Sequence, residues 1–316
     1  MLTRKTNSKV VVVGAGNVGS ATAYAIAQQQ LCGELVIVDV AADKAEGEAL
    51  DIAHGMPFVG GMKVYSAGYE ACKDADVIVI TAGAGRKPGE TRLDLANKNA
   101  NIIKAVTGEI MKHYNGALIL VISNPVDVIT TLILKWSGLP ADRVVGSGTI
   151  LDTSRLRYVL GRHFGVEVMS VQAYVLGEHG DSQFVSWHLS NIAGVGIDEY
   201  AKMTKVDLGD SVKAQIEEEV RLGGANVIKR KGATNFGIAA CVASVTKSLL
   251  GNFNTVYSVG SMFSGQYGIS DIVLSTPTIV GGSGVVRQLE CPLPAQELEK
   301  MNYSAEQIKS FVDACL

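Results

Sequence analysis

The sequence predicts an α/β protein. A doubly wound parallel sheet forms the N-terminal half, and a mixed α/β half follows it. Three observations lead there. Short β-branched runs alternate with helical patterns over the first 150 residues or so. The earliest run opens directly into a glycine-rich turn. Beyond residue 150 the rhythm changes to long helices and short strands separated by glycines. Continuous apolar runs indicate strands buried on both faces, and alternation with helices indicates parallel crossovers.

The elements follow in order. Residues 10–13 read as a buried strand and 18–30 as a helix; 35–38 form a second strand ending at Asp39. Further strands fall at 77–80, 118–122 and 144–148, each running into a polar or glycine-rich turn. Helices are expected at 152–164, 207–231 and 237–250, the last rich in Ala, Val and Leu. Segments 256–263, 272–275 and 278–280 read as short antiparallel strands, and 295–315 as a terminal helix. The change of pattern divides the chain into residues 1–148 and 149–316. No repeat, low-complexity tract or long linker interrupts it.

Composition narrows the function. Apolar residues make up 47% and charged residues 19%, which suits a large core and argues against disorder. A net charge of −3 disfavours nucleic acid or an anionic membrane as partner, so an anion site must be a local cluster of cations. The five cysteines are odd in number and form no CxxC pair, a pattern of reduced thiols rather than disulfides or zinc. His54, His113, His163 and His188 show no metal-ligand spacing, and no metal is expected. The start lacks a signal peptide, and no stretch of about 20 apolar residues suggests a membrane span. A cytoplasmic protein is expected.

Gly14, Gly16 and Gly19 form G-x-G-x-x-G between the first strand and the first helix. The first glycine permits a tight turn and the second a close approach to pyrophosphate. The third lets helix pack on strand, so that the helix N-terminus faces the phosphates. Asp39 lies 20 residues beyond Gly19, at the end of the second strand. A carboxylate there accepts hydrogen bonds from ribose hydroxyls and repels a 2′-phosphate, which selects NAD over NADP in a Rossmann half.

A second constellation carries the chemistry. GEHGDS at 177–182 places His179 between glycines at a strand end, where an imidazole can exchange protons near neutral pH. Asp152, in LDTSR, is a candidate carboxylate partner for it. Arg155, three residues on, shares its helical face and offers a fork for a carboxylate. The glycine-rich segment 81–92 carries Arg86, Lys87 and Arg92 and reads as a lid over a small anion. Arg92 can polarise a ketone oxygen as charge builds on it.

Together these segments resemble the L-lactate/L-malate dehydrogenase family nearly end to end. The matching motifs are VVVVGAGNVGS, the TAG loop, ISNPVDV, GSGTILDTSRLRY, GEHGDS and KGATNFGIA. The resemblance implies that His179 exchanges the proton, Asp152 orients it, Arg155 binds the substrate carboxylate and Arg92 polarises the carbonyl. It implies that Asn124 contacts both the nicotinamide region and the substrate oxygen, and that Thr234 lines the substrate pocket. It places Asn17, Val18, Thr81, Ala82, Gly83 and Ile122 along NAD. The implied reaction is hydride transfer between NADH and a small 2-oxo acid in a homo-oligomer, expected to be a tetramer. A rival of another class is a non-catalytic NAD-binding protein; the set His179, Asp152, Arg155 and Arg92 argues against it.

Within the family, GEHGDS, GETRLDL and KGAT resemble lactate enzymes. Arg86 departs from them: the lid reads RKPGETR, where the lactate pattern has Gln. An arginine there resembles malate enzymes, in which it meets the second carboxylate of oxaloacetate. Closing a desolvated guanidinium over a methyl group is costly, whereas a second carboxylate would pair it. The expectation is therefore a malate dehydrogenase on a lactate-dehydrogenase-like frame, with lactate or mixed specificity as the alternative. Effector-activated lactate dehydrogenases bind a sugar bisphosphate with an Arg and a His. Arg157 matches the arginine and Gln172 replaces the histidine, which implies weak or absent activation.

Overall fold

The computed structural model describes residues 7–85, 89 and 92–316, with Arg92 described by its backbone alone. In the first half, strands β1 (Lys9–Val13), β2 (Glu34–Val38), β3 (Lys63–Ser66), β4 (Val77–Ile80), β5 (Leu118–Val121) and β6 (Val144–Gly146) alternate with helices. The helices are α1 (Asn17–Gln28), α2 (Ala42–Val59), α3 (Arg92–His113) and α4 (Val126–Ser137). In the second half come α5 (Ile150–Phe164), β7 (Val171–Leu176), β8 (Phe184–Ile192), β9 (Val195–Gly196) and α6 (Ile197–Thr204). The long helices α7 (Asp210–Lys231) and α8 (Phe236–Gly251) precede β10 (Thr255–Ser264), β11 (Ser270–Gly281) and β12 (Gly284–Gln288). Helix α9 (Ala295–Cys315) ends the chain.

Among the described residues, nine strands form one sheet in the order β12-β11-β10-β6-β5-β4-β1-β2-β3. The β1–β6 part is parallel, and β10 joins it antiparallel through Gly260 opposite Gly146. The continuous apolar runs are buried on both faces, as their composition requires. Val11 and Val13 face a core shared with α3, α4 and α9, while Val10 and Val12 face one shared with α1, α2 and α8. A smaller sheet, β7-β8-β9, packs with α5, α6 and α7 around Leu156, Val175 and Val220. The order of the strands reverses between β1 and β4, so their C-terminal ends open the crevice where a parallel sheet binds ligands.

Three expectations change. Segments 272–275 and 278–280 belong to one strand, β11, which pairs with β10 from Val280 to Val273 straight through Pro277. The missing N–H of one proline does not break a strand already held along that whole edge. The helix expected from 152 begins at Ile150, which puts Asp152 inside its first turn rather than at its cap. The helix expected from 207 begins at Asp210, because Asp207 Oδ1 accepts the Gly209 amide at 2.9 Å in a turn that precedes it. No helix among the described residues is long and apolar enough to cross a membrane.

Candidate active site

The nucleotide end of the crevice is built by close backbone approach. A Cβ on Gly14 would lie 2.7 Å from the Ala82 amide nitrogen, and one on Gly19 would lie 1.8 Å from the Gly14 carbonyl oxygen. Gly14 also has φ +114°, a conformation that L side chains rarely adopt. Only glycine lets β1, α1 and the turn after β4 meet so closely. Gly16 is the opposite case: a Cβ there meets nothing within 4 Å, so its surface is open. The N-terminus of α1 has no side-chain cap, which leaves first-turn amides free for an anion. Asp39 Oδ2 accepts the Ala15 amide at 2.6 Å, and Oδ1 accepts that of Ala41 at 2.9 Å. Thr81 Oγ1 donates to the Gly14 carbonyl at 3.1 Å and joins the β1 and β4 turns. These residues fit a dinucleotide: open phosphate-facing amides, with a carboxylate fixed beside them.

At the other end, His179 and Arg155 both bond to Asp152. His179 Nδ1 lies 2.6 Å from Asp152 Oδ2, and Arg155 Nη1 donates to Oδ1 at 2.7 Å. Asp152 is 2% exposed, which alone would favour its neutral form. The adjacent His179 and Arg155 cations, with hydrogen bonds from both, outweigh burial and hold its carboxyl below the usual carboxylate range. Burial likewise opposes the imidazolium, but the charge and bond of Asp152, with Asp127 behind, raise the His179 pKa against the opposing Arg155. Such a histidine holds a proton near neutral pH and can pass it to a ketone oxygen.

The turn that carries His179 is tied down on several sides. Gly177 exchanges two backbone hydrogen bonds with Ser275 of β11, at 3.0 and 2.9 Å. Ser304 of α9 donates to the Ser182 carbonyl at 2.7 Å. From α4, Asp127 Oδ2 accepts the His179 amide at 2.6 Å. Helix α5 is docked on β7 as well: Thr153 Oγ1 accepts the Val175 amide at 3.0 Å, and Thr149 Oγ1 donates to the Val175 carbonyl at 2.5 Å. That docking brings Asp152 up to the histidine.

The sequence reading passed over Asp127 and Asn99, which the structure places against the site. Asp127 is 1% exposed, and its Oδ1 has no hydrogen-bond partner among the described residues. Burial pushes its carboxyl up to about 7; the amide and charge of His179 pull against this, and the charges of Glu178 and Asp152 add to it. An acidic residue inside the apolar run VDVITTLIL was its one visible signal. Asn99 joins the base of the lid to the site, donating to the carbonyls of Asn124 at 2.7 Å and Ala84 at 3.1 Å. Nothing in its local sequence marks it.

A cavity of about 490 Å³ brings Val18, Ile122, Asn124, Asp152, Arg155, His179 and Thr234 together. Gly14, Gly16, Gly19, Asp39, Thr81, Ala82 and Gly83 belong to the nucleotide end and do not line it; Asn17 starts α1 beside them. Arg86 lies outside the described residues, as do Lys87 and the side chain of Arg92, although the Arg92 backbone starts α3. Helix α7 supplies a wall of Leu222, Gly224, Ala225 and Ile228. Arg221 also faces the cavity, but Glu218 grips it with two bonds of 2.8 and 2.7 Å. Among the described residues no cluster of His, Cys, Asp or Glu forms a metal site.

Known proteins share this architecture. Residues 8–146 match the NAD binding domain of lactate/malate dehydrogenase, and residues 149–315 match its alpha/beta C-terminal domain. An L-lactate dehydrogenase of Clostridium perfringens is 45% identical over 312 residues, spanning 99% of this chain and 98% of its own. The solved structure of the minor L-lactate dehydrogenase of Enterococcus mundtii, in a ligands-bound form, superposes with a TM-score of 0.95 at 39% identity over 99% of both chains. That of an L-lactate dehydrogenase of Clostridium thermocellum superposes with a TM-score of 0.86 at 48% identity, covering 97% of this chain and 99% of that one. Two domain matches that together cover nearly the whole chain, and a crevice whose glycines and fixed carboxylate suit NAD, have one reading: the chain belongs to the lactate/malate dehydrogenase family and is an NAD-dependent oxidoreductase of the lactate dehydrogenase type.

Proposed function

We propose that the protein reduces pyruvate to L-lactate, reversibly, as a homotetramer in the cytoplasm. One observation carries the reading. A single buried carboxylate, Asp152, joins the proton carrier His179 and the anion anchor Arg155 on the wall of one cavity. NADH held in the crevice would supply the hydride. Arg155 grips the substrate carboxylate with its outward edge while its inner Nη1 stays on Asp152. His179 gives a proton to the ketone oxygen, and Asp152 steadies the imidazolium before that transfer. Asn124 and Arg92 bond to the same oxygen, and Thr234 faces the substrate side chain. The cavity walls Leu151, Ala225, Ile228 and Ile238 suit a methyl group. A relative named L-lactate dehydrogenase, 45% identical over nearly the whole chain, supports pyruvate as the substrate.

A second reading, oxaloacetate to L-malate, is favoured by one observation: Arg86 in the lid sequence RKPGETR. A guanidinium that meets a second carboxylate gains a charge-assisted contact, and a site built on such a contact rejects analogues that lack it by roughly 10⁴-fold. The measurement that decides is kcat/KM for pyruvate and for oxaloacetate with NADH, in the wild type and in Arg86→Gln. A wild-type preference for pyruvate supports the lactate reading. A preference for oxaloacetate that Arg86→Gln abolishes transfers the function to malate. Loss of turnover in His179→Asn excludes a non-catalytic NAD-binding role, and light scattering of the purified protein reads its oligomeric state.

A further inference from the structure

Three buried carboxyl groups surround one imidazole. Asp152 holds the His179 ring at Nδ1, Glu178 precedes the histidine in its turn, and Asp127 reaches its backbone amide from α4. Two of the three are well met by donors. Asp152 has His179 and Arg155, and Glu178 Oε2 accepts the Ser182 amide at 3.2 Å together with the Ser182 hydroxyl. Asp127 is different. Its Oδ2 accepts the His179 amide at 2.6 Å, but its Oδ1 is a buried oxygen with no donor among the described residues. That oxygen lies against bare backbone, since a Cβ on Gly260 of β10 would be 3.1 Å from it. A buried carboxylate with one oxygen unsatisfied is costly, and a proton removes most of that cost.

We propose that Asp127 is a positioning residue that exchanges a proton of its own as His179 changes charge, so that the two titrate as a coupled pair. This rests on the reading of His179 as the proton carrier. The groups that face Asp127 are His179 and Glu178 from the turn and Asp152 from α5, with Arg155 beyond Asp152; β10 brings only Gly260. While His179 is an imidazolium, its charge balances the cluster and Asp127 stays ionised. Once His179 has given its proton to the ketone oxygen, Asp127 faces Glu178 and Asp152 without that charge. It then takes a proton from solvent and releases it when His179 is recharged. Over a full cycle the only proton consumed is the one that reduction itself requires. The influence is mutual: an ionised Asp127 raises the proton affinity of His179. Burial, with the charges of Glu178 and Asp152, puts the Asp127 carboxyl at about 7, in the range where a histidine works.

The test measures kcat/KM for pyruvate with NADH against pH, for wild type, Asp127→Asn and Asp127→Ala. Asparagine keeps an acceptor for the His179 amide and removes the titration; alanine removes both. At about pH 6 Asp127 is itself neutral, so wild type and Asp127→Asn should agree within about threefold. Above neutrality they should separate, with the alkaline limb of Asp127→Asn about one unit lower. Asp127→Ala should show the same displacement and a lower kcat at every pH. A limb that Asp127→Asn leaves in place, with only Asp127→Ala impaired, reduces Asp127 to a tether and overturns the inference. Infrared difference spectra between acid and alkaline pH give a readout without turnover. A carboxylic-acid carbonyl band should grow as pH falls through about 7, vanish in Asp127→Asn and persist to higher pH in His179→Asn, which lacks the cation. Absence of the band from wild type, or a band that His179→Asn does not move, overturns the inference. The His179→Asn comparison decides alone if Asp127→Asn fails to fold. Absence of turnover for every 2-oxo acid overturns the proposed function, and the infrared band still decides the proton on Asp127.

Discussion

His179 Nδ1 and Asp152 Oδ2 meet at 2.6 Å although 27 residues separate them in sequence. The contact commits Nδ1 to the carboxylate, which leaves Nε2 as the ring nitrogen available to the cavity that His179 lines. Asp152 contributes stability above the usual carboxylate pKa and loses it as pH falls through its lowered value. His179 contributes below its ordinary pKa and loses it as pH rises through its raised value. The pair is therefore strongest between those two limits, where the proton also sits on the imidazole.

Asp152→Asn removes the charge that raises His179. Reduction requires the imidazolium, so the alkaline limb of the kcat/KM profile for the 2-oxo acid should move to lower pH. Activity at neutral pH should fall by about 10²-fold or more. A pH–rate profile for wild type and variant checks both; an unmoved alkaline limb excludes the coupling.

Asp127 has the opposite sign. Its carboxyl is raised by burial from 3.8 to about 7, so the folded state holds a proton that the unfolded chain releases. Folding stability should fall as pH rises from about 4 to 7, by an amount on the order of 4 kcal/mol for this group alone. Asp127→Asn keeps an acceptor for the His179 amide but removes the titration. Urea midpoints of the variant should be flatter between pH 5 and 8 than those of the wild type, and equal slopes would refute the assignment.

Asp39, the proposed ribose acceptor, is held by the amides of Ala15 and Ala41 at the nucleotide end of the crevice. Asp39→Ala removes both the ribose acceptor and the charge that repels a 2′-phosphate. The ratio of kcat/KM for NADH over NADPH should fall by about tenfold or more. Steady-state rates with the two cofactors read it directly.

Gln172 is exposed on β7, and the backbone of Arg157 lies on α5, which packs on that strand. With an amide in place of a second cation, fructose 1,6-bisphosphate should leave the pyruvate KM unchanged. Gln172→His should introduce a fall in KM on addition of the sugar bisphosphate. A large effect in the wild type would show that Arg157 suffices alone.

Local physics made much of this protein legible in advance. β-branched runs buried on both faces specify parallel strands wherever they occur, and G-x-G-x-x-G followed by Asp39 carries its own geometry. Asp152 and Arg155 share a helical face because of their spacing, and a histidine between glycines at a strand end is recognisable as such. These are short-range properties, set within one turn or one strand.

Other relationships depend on segments that only packing unites. Asp127 reaches the His179 amide across 52 residues of sequence, and Gly223 and Gly224 make room for an arginine on another helix. Asn99 reaches from α3 to the carbonyl of Asn124. No pattern of propensity or period encodes such meetings. They follow from the docking of α4, α5 and α7 around the end of β7, where burial decides which polar groups find a partner and which, like Asp127 Oδ1, do not. The residue types were therefore readable one segment at a time, whereas their protonation and the shape of the substrate wall were decided by the tertiary structure. Both depend on the low dielectric and close contacts that exist only once the segments are packed.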